Sequence, residues 1–389
     1  MTYTLNYQYY ASDIIKFIQN LVRVPSINGI NNETNIIKLI ARGAKKLNLP
    51  FQIISKDKNH PNIFVGNNFS KKKGLLLIAH VDTADVGDQN KWIHNPFGGE
   101  IKDGKLYGRG SIDCKAGIAL SLYTLKVLSD LGQADLVKFI GVSDEEKGAD
   151  SKLGARCLLE RGLKAKFAIY TYPGNDTITI GHRGQVKFWV RVTGESAHSG
   201  SKSWQDGTSG ANAIDALISF LNEIRTYNLK GVHKAFPNYF FKQTVVLIEG
   251  GSISGMVPDK AHALIDARLL PIHSSQEYII AIKKIAKKFE SNKIQFKIEV
   301  QTNLPASFIS PNQKIVTILK DLSKNILKKN PEIRGCGPAN EGYMFNNANI
   351  PTICGFGVNG GRVHSTDEYL ELESIPQILR IYIEAALAI

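Results

Sequence analysis

The chain has 389 residues, more than one hydrophobic core usually organises, so we expect two domains or one domain with a large insertion. Its 43% hydrophobic and 21% charged residues are typical of a globular protein. The net charge of +13 raises nucleic acid as a partner, but the lysines are spread through amphipathic helices without an aromatic-interleaved basic motif. The charge therefore indicates anionic substrates rather than nucleic acid.

The four cysteines stand apart without a C-x-x-C pair, which argues against both a disulfide framework and a structural zinc knuckle. The first residues lack the basic leader, apolar run and cleavage site of a signal peptide, and no stretch approaches membrane-spanning length. We therefore expect a soluble, cytoplasmic protein with no membrane partner.

The N-terminal part alternates helices with short apolar strands. Helices are predicted over 13–24, 33–47 and 115–131, and strands over 51–55, 62–65, 74–80 and 136–142. The segment GLLLIAH is apolar throughout, as expected for a strand buried on both faces. This alternation predicts an α/β layered domain with a mostly parallel central sheet.

The middle of the chain has a different pattern. It predicts strand, helix, strand, strand, helix and strand over 185–193, 210–227, 243–249, 261–269, 275–291 and 294–301. That order is typical of a split βαβ, or ferredoxin-like, sandwich. We therefore predict a catalytic domain formed by residues 1–183 and 298–389, interrupted by an inserted ferredoxin-like α+β lid or dimerisation domain at 184–297.

Acidic and imidazole side chains occur at predicted strand ends, which is where catalytic groups collect in open α/β sheets. They are His80 and Asp82 at the end of GLLLIAHVD, Asp113 in the glycine-rich loop GRGSIDCKAG, Glu145 and Glu146 at the end of FIGVSDEE, and His364 in GGRVHSTDEY.

The pair His80 and Asp82 has the chemistry of a zinc site. Zinc prefers imidazole nitrogen and carboxylate oxygen, and a ligating histidine usually needs a second carboxylate to fix its tautomer. Side chains two apart on a strand point the same way, so Asp82 can orient His80. On its own, however, such a pair is more often a satisfied core histidine beside a helix-capping aspartate.

The adjacent Glu145 and Glu146 face opposite sides if the strand continues through them, so one can bind metal while the other meets water. The second carboxylate would take a proton from a metal-bound water and return it to the leaving amine. Taken alone, DEEK is more typical of an exposed acidic turn, and Asp113 of a turn residue or helix cap.

Six motifs together are more specific than any one of them: LIAHVDTA, GRGSIDCKAG, SDEEKG, GESAHSG, MVPDKAHALIDARLLP and GGRVHSTDEYLE. In this order the chain resembles, over nearly its whole length, the dinuclear zinc amidohydrolases and peptidases of the M20 type. That family includes succinyl-diaminopimelate desuccinylase, acetylornithine deacetylase, aminoacylase and carboxypeptidase G. The resemblance implies a homodimer that hydrolyses an N-acyl amino acid or a short peptide, in arginine or lysine biosynthesis.

The resemblance also implies one or two Zn2+ per chain, with Co2+ able to substitute. It makes Asp113 the carboxylate that bridges two metals, and His80 a ligand of one of them. Glu146 and His364 become ligands of the other. The family pattern further implies a cis peptide bond between Asp113 and Cys114.

Further roles follow from the same resemblance. Asp82 becomes the orienting partner of His80, and Glu145 the general base. His198 in GESAHSG becomes the histidine that stabilises the oxyanion from the partner subunit, and Arg268 the residue that holds the substrate carboxylate. Without the family pattern, His198 would only end a strand and Arg268 would be a surface cross-strand residue.

The chain departs from the family at three places: at Tyr172, at Gly255 and in the loop GCGPANEGYMF. Tyr172 stands where the family has the carboxylate that completes the His80 metal site, and a phenol with a pKa near 10 is a poor zinc ligand. Either Asp176 or water fills the gap, or the His80 site binds metal weakly. The loop GCGPANEGYMF replaces the family's usual loop and makes Asn340 a candidate substrate contact.

Three functions therefore compete. The leading one is a deacylase of the acetylornithine deacetylase or succinyl-diaminopimelate desuccinylase type, in which Glu145 activates a metal-bound water. An M20-type dipeptidase or carboxypeptidase uses the same metals, so only the substrate pocket distinguishes it. A catalytically impaired relative that binds a small molecule is favoured by Tyr172 and by Gly255, which stands where the family often has asparagine.

Overall fold

The computed structural model describes residues 7–148 and 150–389. Contacts divide the chain into two compact units. The first unit runs to His182 and resumes over Phe308–Cys336 and Asn340–Ile389, and the second unit comprises Arg183–Ser307 and Gly337–Ala339. Within the described residues, no helix is both long and apolar enough to cross a membrane.

The strands, in chain order, are β1 (Phe51–Ile54), β2 (Asn62–Val65), β3 (Leu75–His80), β4 (Ile101–Lys102), β5 (Lys105–Tyr107), β6 (Val137–Val142), β7 (Phe167–Tyr170), β8 (Thr177–His182), β9 (Gly184–Thr193), β10 (Ala197–His198), β11 (Lys242–Gly250), β12 (Met256–Val257), β13 (Lys260–Leu269), β14 (Gln295–Leu304), β15 (Ser307–Phe308), β16 (Glu332–Cys336), β17 (Thr352–Ile353), β18 (Gly360–Gly361) and β19 (Tyr369–Glu371).

The α-helices are α1 (Ala11–Val22), α2 (Thr34–Lys46), α3 (Ala116–Asp130), α4 (Ala155–Glu160), α5 (Lys202–Gln205), α6 (Ala213–Thr226), α7 (Ser275–Lys287), α8 (Lys314–Leu322), α9 (Gly342–Asn347) and α10 (Ser374–Ala388). Short 3-10 or π turns cover Tyr7–Tyr10, Gln89–Lys91, Ser111–Lys115, Ala134–Leu136 and Ser323–Leu327.

The first unit is built on a six-stranded sheet in the order β1-β2-β6-β3-β7-β17. β3 runs parallel to β6 and β7, and β7 runs parallel to β17, whereas β1 and β2 are antiparallel at one edge. Every residue of β2, β3, β6 and β7 is buried, as the continuous apolar runs predicted. The predicted α/β fold with a mostly parallel central sheet is confirmed.

The N-terminal end of helix α3 lies close to the central sheet. The helix is buried along most of its length and packs on β3 and β6. A Cβ atom at Gly117 would lie 1.9 Å from Thr171 Oγ1, so only glycine allows this approach. The turn that precedes α3, Ser111–Lys115, is thereby held at the ends of the parallel strands.

The second unit contains a four-stranded antiparallel sheet in the order β11-β13-β9-β14. Its core combines the alternate apolar side chains of these strands with the inner faces of α6 and α7. The chain order β9, α6, β11, β13, α7, β14 is the predicted ferredoxin-like order. The domain boundaries at 184 and 297 stay a prediction, and β14 continues past the second of them to Leu304.

Two local features differ from the sequence-based expectations. Helix α6 begins at Ala213 rather than at residue 210, because the Asn212 side chain caps it by accepting hydrogen bonds from two backbone N–H groups. The first unit also contains a small sheet in the order β18-β19-β5-β4. Its strands have only two or three residues, too few for an alternation of polar and apolar residues to reveal them.

Candidate metal centre

The four predicted metal ligands come from separate elements of the first unit. His80 is the last residue of β3, and Asp113 lies in the turn before α3. Glu146 follows β6, and His364 lies in the loop between β18 and β19. Because β3 and β6 run parallel, their carboxyl ends bring His80 and the segment after β6 to the same edge of the sheet.

Asp113 stands at the centre of this cluster. Its Oδ1 lies 3.0 Å from His80 Nε2, and its Oδ2 lies 3.2 Å from His364 Nε2. His364 Nε2 also lies 3.2 Å from Glu146 Oε1. The His80 and Asp113 side chains are buried, whereas that of His364 is 54% exposed. The structure thus brings all four predicted ligands together around one carboxylate.

The turn that carries Asp113 is held by a buried ion pair. Glu368 Oε1 accepts hydrogen bonds from the backbone N–H groups of Ile112 and Asp113, each at 3.2 Å. Glu368 Oε2 accepts from Arg109 Nη1 at 2.7 Å, and both side chains are buried. The Asp113–Cys114 peptide bond is cis, as predicted. Neither Arg109 nor Glu368 was singled out from the sequence, although both lie within the quoted motifs.

Asp82 contacts His80 differently from the sequence-based expectation. His80 Nδ1 lies 2.8 Å from the backbone carbonyl oxygen of Asp82 and 3.7 Å from its carboxylate Oδ1. The Asp82 Oδ2 atom instead accepts hydrogen bonds from the Glu146 backbone N–H and from Asn28 Nδ2, both at 2.9 Å. The orienting acceptor for the imidazole is therefore the backbone of Asp82, while its carboxylate holds the turn that carries Glu146.

Glu145 and Glu146 do not lie on a strand, because β6 ends at Val142 and Asp144 has a positive φ of 61°. In this turn Glu145 is buried, and its Oε1 accepts a hydrogen bond of 2.5 Å from the Tyr172 hydroxyl. Burial raises the pKa of Glu145 to about 7. The two carboxylates are separated as the predicted roles require, by a turn rather than by strand alternation.

Tyr172 is half-buried and stacks on the buried ring of Tyr170. Its ring is parallel to that of Tyr170 within 13°, with centroids 4.7 Å apart, and its centroid lies 5.6 Å from that of His80. The Tyr170 hydroxyl donates a 2.5 Å hydrogen bond to Glu341 Oε2. Burial, and then the charge of Glu145, raise the pKa of Glu341 to about 8. The sequence identified Tyr172 as unusual but contained no signal for the hydrogen bond to Glu145.

The Asp113, Glu146 and His364 side chains suit a divalent metal ion. Glu146 Oε1 is buried and accepts no hydrogen bond from a described residue, although His364 Nε2 lies nearby. Burial opposes ionisation of Asp113, but hydrogen bonds from His364 and His80 outweigh it and hold the pKa of Asp113 below its usual range. The close contacts of His364 with the Asp113 and Glu146 carboxylates, each at 3.2 Å, raise the pKa of His364 to about 10. The carboxylates thus favour positive charge between them, and imidazole and carboxylate are the donors that zinc prefers.

His198 lies in the second unit, on β10, where it pairs with Met256 of β12 and is exposed. Its Nδ1 accepts a hydrogen bond of 3.1 Å from the Gly200 backbone N–H. In the neutral ring, the proton is therefore on Nε2, which is a hydrogen-bond donor as oxyanion stabilisation requires. That role of His198 stays a prediction.

The two predicted substrate contacts have other partners in the structure. Arg268 Nε pairs with Asp266 Oδ1 at 2.9 Å, and Arg268 lines a cavity of about 460 Å³ within the second unit, together with Arg183 and Lys242. Asn340, in the first unit, donates to the Cys354 carbonyl oxygen at 2.8 Å and accepts from a backbone N–H at 2.9 Å. Their contacts with substrate stay predictions.

The family model for peptidase family M20/M25/M40 matches residues 76–388. The chain belongs to this family. Its members are metallohydrolases, so this chain is a metal-dependent hydrolase. The six motifs predicted this family and a metal-dependent hydrolase, and both predictions are confirmed.

Relatives of known name or structure cover nearly the whole chain. A probable succinyl-diaminopimelate desuccinylase of Staphylococcus aureus is 26% identical over an alignment of 407 positions that covers 96% of each chain. A solved tripeptidase of Staphylococcus aureus has a TM-score of 0.75 and 22% identity, covering 97% of this chain and 99% of its own.

Two further solved structures share the fold. A metallo-carboxypeptidase of the M20 family from Sulfolobus solfataricus has a TM-score of 0.74 and 18% identity, covering 98% of this chain and 99% of its own. A Bacillus subtilis protein described as a dinuclear metal-binding peptidase has a TM-score of 0.70 and 15% identity, covering 98% of both chains.

The buried pair of Glu368 and Arg109 predicts a large stability difference between two similar substitutions. Glu368→Gln leaves the buried Arg109 guanidinium without a counter-charge, so we expect a loss of about 3–5 kcal/mol in the free energy of unfolding. Glu332→Gln breaks the exposed pair with Arg334 and should cost less than about 1 kcal/mol. Thermal melts of both variants measure the difference. Equal shifts in melting temperature would contradict the role of the buried Glu368 and Arg109 pair in holding the Asp113 turn.

Proposed function

We propose that this chain is a deacylase that cleaves the amide bond of an N-acyl amino acid, of the acetylornithine deacetylase or succinyl-diaminopimelate desuccinylase type. The convergence of Asp113, Glu146 and His364 beside the buried Glu145 is the observation that supports amide hydrolysis most strongly, and the likeness to a desuccinylase supports the acyl substrate. This arrangement combines a donor set for a metal with a separate carboxylate that can move a proton.

A divalent ion bound to Asp113, Glu146 and His364 would polarise the amide carbonyl and lower the pKa of a water molecule at the site. Glu145 is the base in this proposal, because a carboxylate with a pKa raised towards neutrality can both accept and return a proton. Tyr172 occupies its Oε1, which leaves Oε2 to accept the proton from water and deliver it to the leaving nitrogen.

Two observations favour an acyl amino acid as the substrate. The desuccinylase relative is similar along 96% of both chains. The net charge of +13 favours anionic compounds, of which succinylated and acetylated amino acids are examples. Arg268 is the proposed contact for the substrate carboxylate, because a guanidinium can bind a carboxylate through two parallel hydrogen bonds.

A dipeptidase or carboxypeptidase is the second candidate. The likeness in fold to a tripeptidase and to a metallo-carboxypeptidase supports it. Both candidates need the same water attack and the same base, so the site chemistry alone does not separate them. We propose zinc as the metal because of the imidazole and carboxylate donors, with cobalt as a functional substitute. Arginine or lysine biosynthesis is the proposed context.

A substrate panel with metal removal tests the proposed reaction. Protein dialysed against dipicolinate should lose activity, and Zn2+ or Co2+ should restore it, because the ligand set suits a divalent ion. The panel compares N-acetyl and N-succinyl amino acids with dipeptides and tripeptides, and amine release is measured. Cleavage of peptides alone would replace the deacylase with a peptidase. Metal-loaded protein that cleaves neither class would support a small-molecule-binding relative.

Substitution of Glu145 tests the base. Glu145→Gln should lower kcat by about a hundredfold to ten-thousandfold, because an amide does not accept a proton from water. Bound metal should stay unchanged in elemental analysis, since Glu145 is not a proposed ligand. Glu160→Gln is the matched control, because Glu160 is a 58% exposed surface glutamate of the same unit. Unchanged kcat in Glu145→Gln would reject the proposed mechanism.

We also propose that the chain forms a homodimer through the second unit. Strand β11 is an edge strand that pairs with β13, and it exposes apolar side chains, including Val246 at 52% and Ile248 at 54%. An edge with exposed apolar residues favours pairing with a second copy. Light scattering should give twice the mass of one chain, and a change of Val246 and Ile248 to lysine should reduce that mass to a monomer. A monomeric wild-type protein would contradict the proposal.

A further inference from the structure

The two oxygens of Asp113 face different sets of neighbours. Oδ2 lies beside His364, whose Nε2 is also 3.2 Å from Glu146 Oε1, so three ligand side chains meet there. Oδ1 lies beside His80, and the third group of that cluster within the described residues is the thiol of Cys114. The position between Asp113, Glu146 and His364, which we call the first metal corner, therefore has a complete donor set of oxygen and nitrogen. The position between Asp113 and His80, which we call the second metal corner or His80 corner, depends on a cysteine.

The Cys114 thiol is turned towards a different neighbour. Its Sγ lies 3.4 Å from both the carbonyl oxygen and the hydroxyl oxygen of Thr171, and the side chain is fully buried. The carbonyl oxygen can only accept, so the S–H group is the donor in that contact. A thiol that donates to a carbonyl does not offer the thiolate sulfur that zinc binds.

Tyr172, which stands where the family resemblance implies a carboxylate ligand, is also committed elsewhere. Its hydroxyl donates to Glu145 Oε1, and its ring is held by stacking on Tyr170. Tyr170 is in turn fixed by its hydrogen bond to the buried Glu341. The stack and this hydrogen bond together hold the Tyr172 hydroxyl on Glu145 rather than beside His80.

Nearby carboxylates do not replace the missing ligand. Asp176 is 74% exposed and forms an ion pair with Lys329 at 2.7 Å. Asp82 contacts His80 through Nδ1, whereas Asp113 contacts it through Nε2, so Asp82 lies on the opposite edge of the imidazole ring. Of the possibilities raised by the sequence, the structure excludes Asp176 as the replacement.

We infer that the chain binds one divalent ion tightly, at Asp113, Glu146 and His364, and that Tyr172 has converted the second metal corner into a support for Glu145. This inference rests on the proposed function and concerns how the site is built. It separates this chain from the relative described as a dinuclear metal-binding peptidase. The Tyr172 hydroxyl is a positioning group: it holds Oε1 of the general base and leaves Oε2 for the proton transfer.

Metal counting tests the inference directly. Purified full-length protein is incubated with excess Zn2+, dialysed against metal-free buffer and analysed by plasma mass spectrometry. Wild type should retain one equivalent, and Tyr172→Glu should retain two, because the new carboxylate completes the His80 corner. Cys114→Ala should retain one equivalent, since the thiol is not a ligand. Two equivalents in wild type, or one in a folded Tyr172→Glu, would overturn the inference while leaving the hydrolase function intact.

A failure of the proposed hydrolase function would give a different result in the same experiment. Wild-type protein that retains no zinc would contradict both the single tight site and the proposed function. If Tyr172→Glu does not fold, titration of wild type with Co2+ followed by its visible absorption still decides the number of tight sites. One saturable step supports the inference, and two steps of similar affinity overturn it.

The positioning role of Tyr172 has its own kinetic signature. Tyr172→Phe keeps the ring but removes the hydrogen bond to Glu145, so we expect kcat to fall by about tenfold to a hundredfold with KM and retained zinc unchanged. Tyr343→Phe is the matched control, because its hydroxyl also binds a carboxylate, Asp150, at 2.9 Å, and should leave kcat unchanged. Loss of bound zinc in Tyr172→Phe, or unchanged kcat, would overturn this role.

Discussion

The fold places one buried carboxylate between two imidazoles, and the rest of the site is arranged around it. Asp113 directs one oxygen to His80 and the other to His364, and its backbone N–H is held by Glu368. Such a carboxylate is stable as an anion only when positive charge is close by. In the protein alone His364 and His80 hold the pKa of Asp113 below its usual range, and a divalent ion bound beside His364 would add positive charge there. The central sheet, the turn before α3 and the Arg109 ion pair all serve to fix this position.

The same constraint explains why the two sides of Asp113 differ. On the His364 side, Glu146 has a buried oxygen that no described hydrogen-bond donor satisfies, which favours a metal ion. On the His80 side, the two side chains nearest to a ligand position already have other partners: the Cys114 thiol contacts Thr171, and the Tyr172 hydroxyl donates to Glu145. Buried polar groups favour the partners they already have, because an unpaired group costs about 1–3 kcal/mol. The chain therefore keeps the chemistry of a metallohydrolase while its second metal corner has become a hydrogen-bonded support.

Much of the fold could be predicted because buried strands need apolar side chains on both faces, and the runs at β3 and β6 show this directly. The four proposed ligands could be predicted as a group only through the family resemblance, because each one alone is as typical of a turn, a helix cap or a core histidine. Their detailed contacts could not. The positive φ of Asp144 takes Glu145 and Glu146 off the strand. The two carboxylates do point in different directions as predicted, but a turn separates them and not the alternation of side chains along a strand. The hydroxyl direction of Tyr172 depends on stacking against Tyr170, which is a property of three-dimensional packing and not of residue order.

The central claim is that Asp113, Glu146 and His364 together bind a divalent metal ion. Anomalous diffraction from crystals grown with Zn2+, recorded on both sides of the zinc absorption edge, tests it most directly. The account predicts a strong peak in contact with one oxygen of Asp113, one oxygen of Glu146 and Nε2 of His364, at about 2.0–2.2 Å from each. A map without a peak at that place, with these three side chains still as close as they are here, would contradict it.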